Sequence, residues 1–490
     1  RKHHSISFAT AHSARQCPAQ NGGNECFPGH ASFPVCPTPR SLTAVQSEHY
    51  DSLIRLLADN SSTNRHGLTN DCRAGGGKRM THVLHYGKSS MLSLEIRPEV
   101  LVSNAASVTD EIVSDPTAAV MAALQGPAGY PPLVQAVVPG DRVAIPVDLA
   151  VPQVSQVVAG VVQTLISGGV VPADIVVLTA NGAGTDAGWA QALAGDAAAV
   201  AVRAHDPCDK GALCYLAAAK DAAPIYLNRH LCEADVIVPV NLLRPRGALG
   251  YAGLHSGLFP LFADESARER FRTPSSTTQA VERRRRHDEA DEVAWLLGLQ
   301  LTIQIVAGPG NSIRHILAGL VSQVATRGAQ LAEAAWSRQF RSKASLVVAA
   351  IAGENDEQSW ENFGRALHGA SEVCTDTGTI VLCTGLQREL GPALQRLARS
   401  TDEDRLWQRL QHDRSEDALP ARLLLEHRHR QHIYLWSDLD GSTVESLGIG
   451  CITSRDEIDH LSRQADSCIL LADAHRAVPR VAPRPRRPVA

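Results

Sequence analysis

Aromatic side chains are scarce in this sequence. Phe, Trp and Tyr together make up 4% of its 490 residues, whereas hydrophobic residues of all kinds make up 44%. A core with so few rings is built from Val, Leu, Ile and Ala, the composition of buried parallel strands. Long hydrophobic runs are missing too. No stretch reaches the ~18–20 apolar residues that span a bilayer as a helix, so no membrane partner is expected. The opening RKHHSISFATAHSARQ is basic but has none of the apolar centre of a secretory signal. Charge of one sign is not in excess. The 47 Lys and Arg nearly balance the 51 Asp and Glu, for a net charge of −4, which provides no field to draw in nucleic acid. The eleven cysteines form no C-x-x-C pair and no Cys/His cluster, so they read as reduced thiols of a cytoplasmic protein. Neither a G-x-G-x-x-G fingerprint nor a Walker-type phosphate loop follows a strand, which disfavours a dehydrogenase or a nucleotide hydrolase.

What is present begins at Met80. Before it, residues 1–79 are rich in Pro, Gly, Asn and Cys without any period. They read as a disordered leader, or as upstream sequence translated from a start codon placed too early. Cys17, Cys26, Cys36 and Cys72 are too irregularly spaced for a zinc site. From Met80, THVLHYG and SMLSLEI read as two strands about a GKSS turn. DPTAAVMAALQG reads as a helix capped by Asp115, with Pro116 at its first position. DRVAIPVDL, DIVVLTANGAG, AVAVRAHDP and ADVIVPVNLL read as buried strands, with a helix in PQVSQVVAGVVQTLISGG. Such alternation implies a parallel sheet with crossover helices. A polar connection, residues 273–292, carries the run Arg283–Arg286 followed by acids and reads as a solvated helix face. ASLVVAAIAG, GTIVLCTG, QHIYLWSDL and DSCILLADA are strands of a second α/β unit, and the Pro/Arg-rich end reads as a disordered tail.

Candidate site residues emerge from this layout. Asp148 ends a buried strand, and ligands of open parallel sheets sit at carboxyl ends of strands. His255 and Ser256 stand among Gly250, Gly253 and Gly257 in GYAGLHSG, a loop able to present a general base. Ser256 lacks the surroundings of a nucleophile elbow. Arg229 and Arg246 are the nearby cations.

Taken in order, HYGKSSMLSLEI, DPTAAVMAALQGPAGYPPL, PGDRVAIPVD, GVVPADIVVLTANG, PIYLNRHLCEADVIVPV, YAGLHSG and DEADEVAWLLGLQLTIQIV resemble the nickel-dependent lactate racemase family. GTIVLCTGLQRELGP and IYLWSDLDGSTVESLGI resemble its C-terminal domain. The resemblance runs over roughly residues 80–475. It implies two α/β domains, 80–335 and 340–475, with parallel or mixed sheets flanked by helices and a cleft between them. Residues 1–79 and 476–490 fall outside as leader and tail.

In that family the cleft holds nickel in a pincer-shaped nucleotide tethered to a lysine. One histidine ligates the metal, and two more exchange the α-proton, or assist hydride transfer, on a 2-hydroxy acid. Neutral imidazole suits both tasks. By position, the two proton-moving histidines fall on Gly182 and Leu249, the tether on Phe259 and the nickel ligand near Ser275. An arginine beyond the first acid falls on Val151, although Asp148 itself remains. The C-terminal domain's substrate-binding lysine falls in GENDEQSW, residues 353–360, which contains none. The resemblance therefore implies a racemase-family chain with a degenerate site. It would lack racemase activity and the nickel-pincer cofactor, and would bind a small carboxylate in the old cleft. The alternative is an active 2-hydroxy-acid racemase or epimerase with relocated residues, drawing on His255, Asp148, Arg229, Arg246 and Ser256. The oligomeric state is not readable.

Overall fold

The computed structural model describes residues 79–102, 112–180, 187–218, 224–245, 248–250, 253–272 and 279–482. Contacts divide the chain at Gly75/Gly76, and all the described residues belong to the unit from Gly76 onward.

Its strands, in chain order, are β1 (Met80–Tyr86), β2 (Ser90–Ile96), β3 (Val143–Val147), β4 (Ile175–Ala180), β5 (Ala201–His205), β6 (Leu213–Ala218), β7 (Pro224–Asn228), β8 (Val236–Ile237), β9 (Val240–Leu242), β10 (Leu301–Ala307), β11 (Ile313–Leu320), β12 (Ser337–Phe340), β13 (Ala344–Ala350), β14 (Cys374–Cys383), β15 (His432–Trp436), β16 (Gly450–Cys451), β17 (Cys468–Leu471) and β18 (Val478–Val481). The chain is of the α/β class. Among the described residues the first large sheet has the order β11-β10-β9-β3-β4-β5, with β8 also against β3. It is parallel except for the β10–β11 hairpin. Every residue of β3 and β10 is buried, which is why those strands read as unbroken apolar runs.

The helix Pro116–Gln125 starts where its sequence says. Asp115 accepts a hydrogen bond from the Ala118 amide at 3.0 Å, and proline fills the first turn, where its missing N–H costs nothing. The next helix, Val154–Ser167, buries Val157, Val158, Val161, Val162 and Leu165 on the sheet. Spacings of three and four put these on one face.

The second large sheet is all parallel, in the order β16-β15-β14-β13-β17. The helices Trp360–Val373, Pro392–Arg399, Glu403–Gln411 and Ala418–His427 lie against it over a separate core that includes Phe363, Leu367, Leu394 and Leu424. The opening hairpin β1–β2 packs on this sheet, not on the first one. Leu84, Leu92, Leu94 and Ile96 share a core with Leu346, Val348, Val381 and Ile458, and Leu101 bridges to Cys468.

Part of the Pro/Arg-rich end is ordered. β18 runs parallel to β12 from Val478 to Val481, with Pro479 buried and the helix beginning at Trp360 above it. A two-stranded edge leaves room for a proline that cannot donate. Residues 483–490 lie outside the described part. The described part of the polar connection is the helix Gln279–Leu296. No described helix is long and apolar enough to cross a membrane.

Candidate functional site

From β3 the chain steps one way across the first sheet to β4 and β5. From β9 it steps the other way to β10 and β11. The direction reverses between β3 and β9, and the carboxyl ends of strands at such a reversal leave a crevice. Two charged residues flank it. Asp148 follows β3, with its amide donating to the Val240 carbonyl of β9 at 3.0 Å. Its Oδ1 accepts from the Ala150 amide at 3.0 Å, which leaves the other oxygen to the crevice. Arg244 follows β9. Burial first, and then the like charge of Arg365, push its guanidinium down to about 10 against the opposing pull of Asp148, Glu361 and Glu357. No hydrogen bond or ion pair joins Arg244 to any described residue. Both residues line a cleft of about 1370 Å³.

The glycine loop seals one wall. Asn241 and Gln304 are partners on adjacent parallel strands, so their side chains share a face. Each donates its amide to the Leu254 carbonyl at 3.0 Å. Gly257 passes so close that a Cβ there would lie 1.8 Å from Asn241 Oδ1 and 3.2 Å from Asp148 Cβ. Glycine is therefore required by contact with the sheet. Gripped this way, the loop turns Ser256 toward the cleft and His255 away from it. His255 is 4% exposed. Its Nε2 lies 3.6 Å from Asp291, and burial lowers its pKa more than Asp291 raises it.

The facing wall belongs to the second sheet. There the direction reverses between β13 and β17, and the loops after these strands meet as well. Glu357, after β13, takes Arg476 Nη2 at 2.7 Å and Asn362 Nδ2 at 2.7 Å, with His475 Nε2 at 3.2 Å. Burial alone would raise the Glu357 carboxyl, but the charges of Arg476 and His475 outweigh it and hold it well below the usual range. Ser359 caps the helix Trp360–Val373, whose first turns carry Glu361 and Arg365 into the cleft. Arg365 is fully engaged. It donates to Glu361 Oε1 at 2.5 Å, Asn362 Oδ1 at 2.8 Å and the Leu249 carbonyl at 3.4 Å.

Further along the cleft, Ser371 Oγ donates to Gln431 Oε1 at 2.7 Å. His427 Nδ1 must then carry the proton it gives to Ser371 Oγ at 2.9 Å. The serine is thus a receiver and not an activated nucleophile.

The structure brings together Asp148 and Ser256 from the residues singled out in sequence. Arg229 lies elsewhere, donating to the Gly211 and Leu213 carbonyls and pairing with Glu233. Arg246, Gly182 and Ser275 lie outside the described residues. Leu249 lines the cleft, and Val151 is 2% exposed in the first core. Phe259 is fully buried, edge-on to Phe271 at 5.2 Å, among Ile225, Leu227 and Val293. Segment 353–360 contributes Glu357, while a cation, Arg365, enters one turn later. Arg244 and Arg365 were not found from sequence. The only signal for Arg244 was its place two residues past an apolar strand.

Residues 86–269 match the family of lactate racemase N-terminal domains. The solved lactate racemase apoprotein of Thermoanaerobacterium thermosaccharolyticum superposes with a TM-score of 0.65 at 15% identity, over 82% of this chain and all of that one. A Thermotoga maritima protein solved by a structural genomics consortium gives 0.56 at 13% identity, over 76% of this chain and all of that one. No curated protein matches. The family resemblance read from sequence thus holds, and at this identity the solved structures share the fold. The position that resemblance gives to the family's lysine tether is Phe259, whose side chain lies in an apolar core and has no amine to form the link.

Proposed function

We propose that this lactate-racemase-like chain binds a small carboxylate in its cleft and does not perform nickel-dependent racemisation. The observation that carries the reading is Arg244, a half-buried guanidinium that lines the cleft at a strand-direction reversal and is left without a partner among the described residues. A desolvated cation without a counter-charge is costly, and a carboxylate matches its planar donor fork. Supporting the second half of the reading, the tether position is phenylalanine in a packed core, and the one described histidine of the glycine loop is turned away from the cleft.

Calorimetric titration with propionate and L-lactate tests it. Wild type should bind at least one of them, and Arg244→Met should weaken that binding at least tenfold without lowering the melting temperature. Equal binding by the variant, or no binding of either acid by wild type at about 10 mM, a free energy of roughly −2.7 kcal/mol, overturns it.

A further inference from the structure

The charges around Arg244 can be accounted for one by one. Those it feels are Arg365, Asp148, Glu361 and Glu357. Glu361 is paired with Arg365 at 2.5 Å, and Glu357 with Arg476 at 2.7 Å. Two groups remain, the guanidinium of Arg244 and one carboxylate oxygen of Asp148. They end neighbouring parallel strands, joined at Val147 and Val240, and feel each other's charge. Yet they make no ion pair. Opposite charges that follow neighbouring strands and line one cleft without pairing leave a gap suited to a ligand that carries one charge of each sign.

We propose that the cleft recognises a zwitterionic α-amino acid, with its carboxylate on Arg244 and its α-ammonium on Asp148. This rests on the carboxylate-binding reading and narrows it. A monocarboxylate alone would satisfy Arg244 and leave Asp148 without a partner. An α-hydroxyl would reach Asp148 as a neutral donor, whereas an α-ammonium adds the attraction of opposite charges. Ser256 at the same wall offers a hydroxyl, and Leu149, Ala150 and Ala180 surround Asp148 with apolar surface for a side chain.

Matched acids isolate the α-substituent. L-alanine, L-lactate and propionate form one set, and L-phenylalanine, 3-phenyllactate and 3-phenylpropionate another. Each is titrated calorimetrically into the full chain, into Asp148→Asn and into Arg244→Met. In at least one set the amino acid should bind ten or more times tighter than its hydroxy and deoxy counterparts. Asp148→Asn should bring the ratio of amino acid to hydroxy acid close to one, while Arg244→Met weakens all members together. If hydroxy or deoxy acids bind as tightly as the amino acids, and depend on Arg244, the zwitterion proposal falls while the carboxylate reading stands. If nothing binds in either set, both fall.

Discussion

Arg476 donates one guanidinium nitrogen to Glu357 at 2.7 Å and the other to the carbonyls of Gly308 and Gly310 at 3.0 and 2.6 Å. It thereby clips the β10–β11 turn of the first sheet to the strand-reversal loops of the second. Asp473 adds a bond from the Gly310 amide at 3.0 Å. The cleft wall that carries Glu361 and Arg365 begins within this clip.

Removing one member of a buried ion pair leaves its partner charged and unsolvated. Arg476→Met should therefore destabilise by about 3–5 kcal/mol. Glu357→Gln should cost less, because the amide still accepts a hydrogen bond. The Glu357 carboxyl lies well below its ordinary value of 4.5, so its contribution is complete above that pH and fades as pH falls toward its folded value. Urea melts of wild type and Glu357→Gln should differ most near pH 7 and converge as the acid range is entered. A constant difference from pH 7 to pH 3 would remove the charge pairing from the account.

His427 sets a second pH dependence. Burial first, and then the nearby charges of His368 and Arg430, lower its pKa from 6.5 to about 4. The unfolded chain takes up this proton near pH 6.5, the folded chain only near 4, so the fold loses stability as pH falls between these values. The loss amounts to roughly 3 kcal/mol at 1.36 per unit. His427→Gln should flatten that part of the stability profile. An unchanged slope between pH 6.5 and 4 would show that another group titrates.

Phe259→Lys should not rebuild a cofactor tether. It places an ammonium among Ile225, Leu227, Phe271 and Val293 with no counter-charge in that core. A loss of at least about 3 kcal/mol, seen as a lower melting temperature, is expected from the lost ring and the buried charge. A variant as stable as wild type, with its lysine open to acylating reagents, would mean that position 259 faces the cleft.

Strands such as β3, β4 and β13 were legible because each is a short Val/Ile/Leu/Ala run between turn residues, and Asp148 was singled out because it directly follows one of them. Arg244 was not. After β9 the chain leaves regular geometry at Leu243–Pro245, so no period tells that Arg244 faces the crevice. The glycines of YAGLHSG suggested an open loop for His255. The approach of Gly257 to Asn241 and Asp148, with the bonds from Asn241 and Gln304 to the Leu254 carbonyl, instead holds the loop on the sheet with the imidazole buried. Arg365 reads as an ordinary amphipathic-helix residue, since only the tertiary fold brings that helix start to the cleft. The same limit hid the place of β1–β2, whose partners lie some 250 residues or more downstream at Leu346 and Cys468. At the other end, Val478–Val481 was masked by proline and arginine around a strand of four residues.

The proposed absence of nickel chemistry is tested most directly by the nickel content of the full chain, purified from cells that also supply the enzymes that build the family's cofactor. Those cells are needed because an empty racemase would otherwise give the same result. Nickel should lie far below one ion per chain, and the intact mass should equal that of the bare polypeptide. Close to one nickel per chain, with a covalent mass increase and interconversion of D- and L-lactate, would contradict the proposed loss of the cofactor.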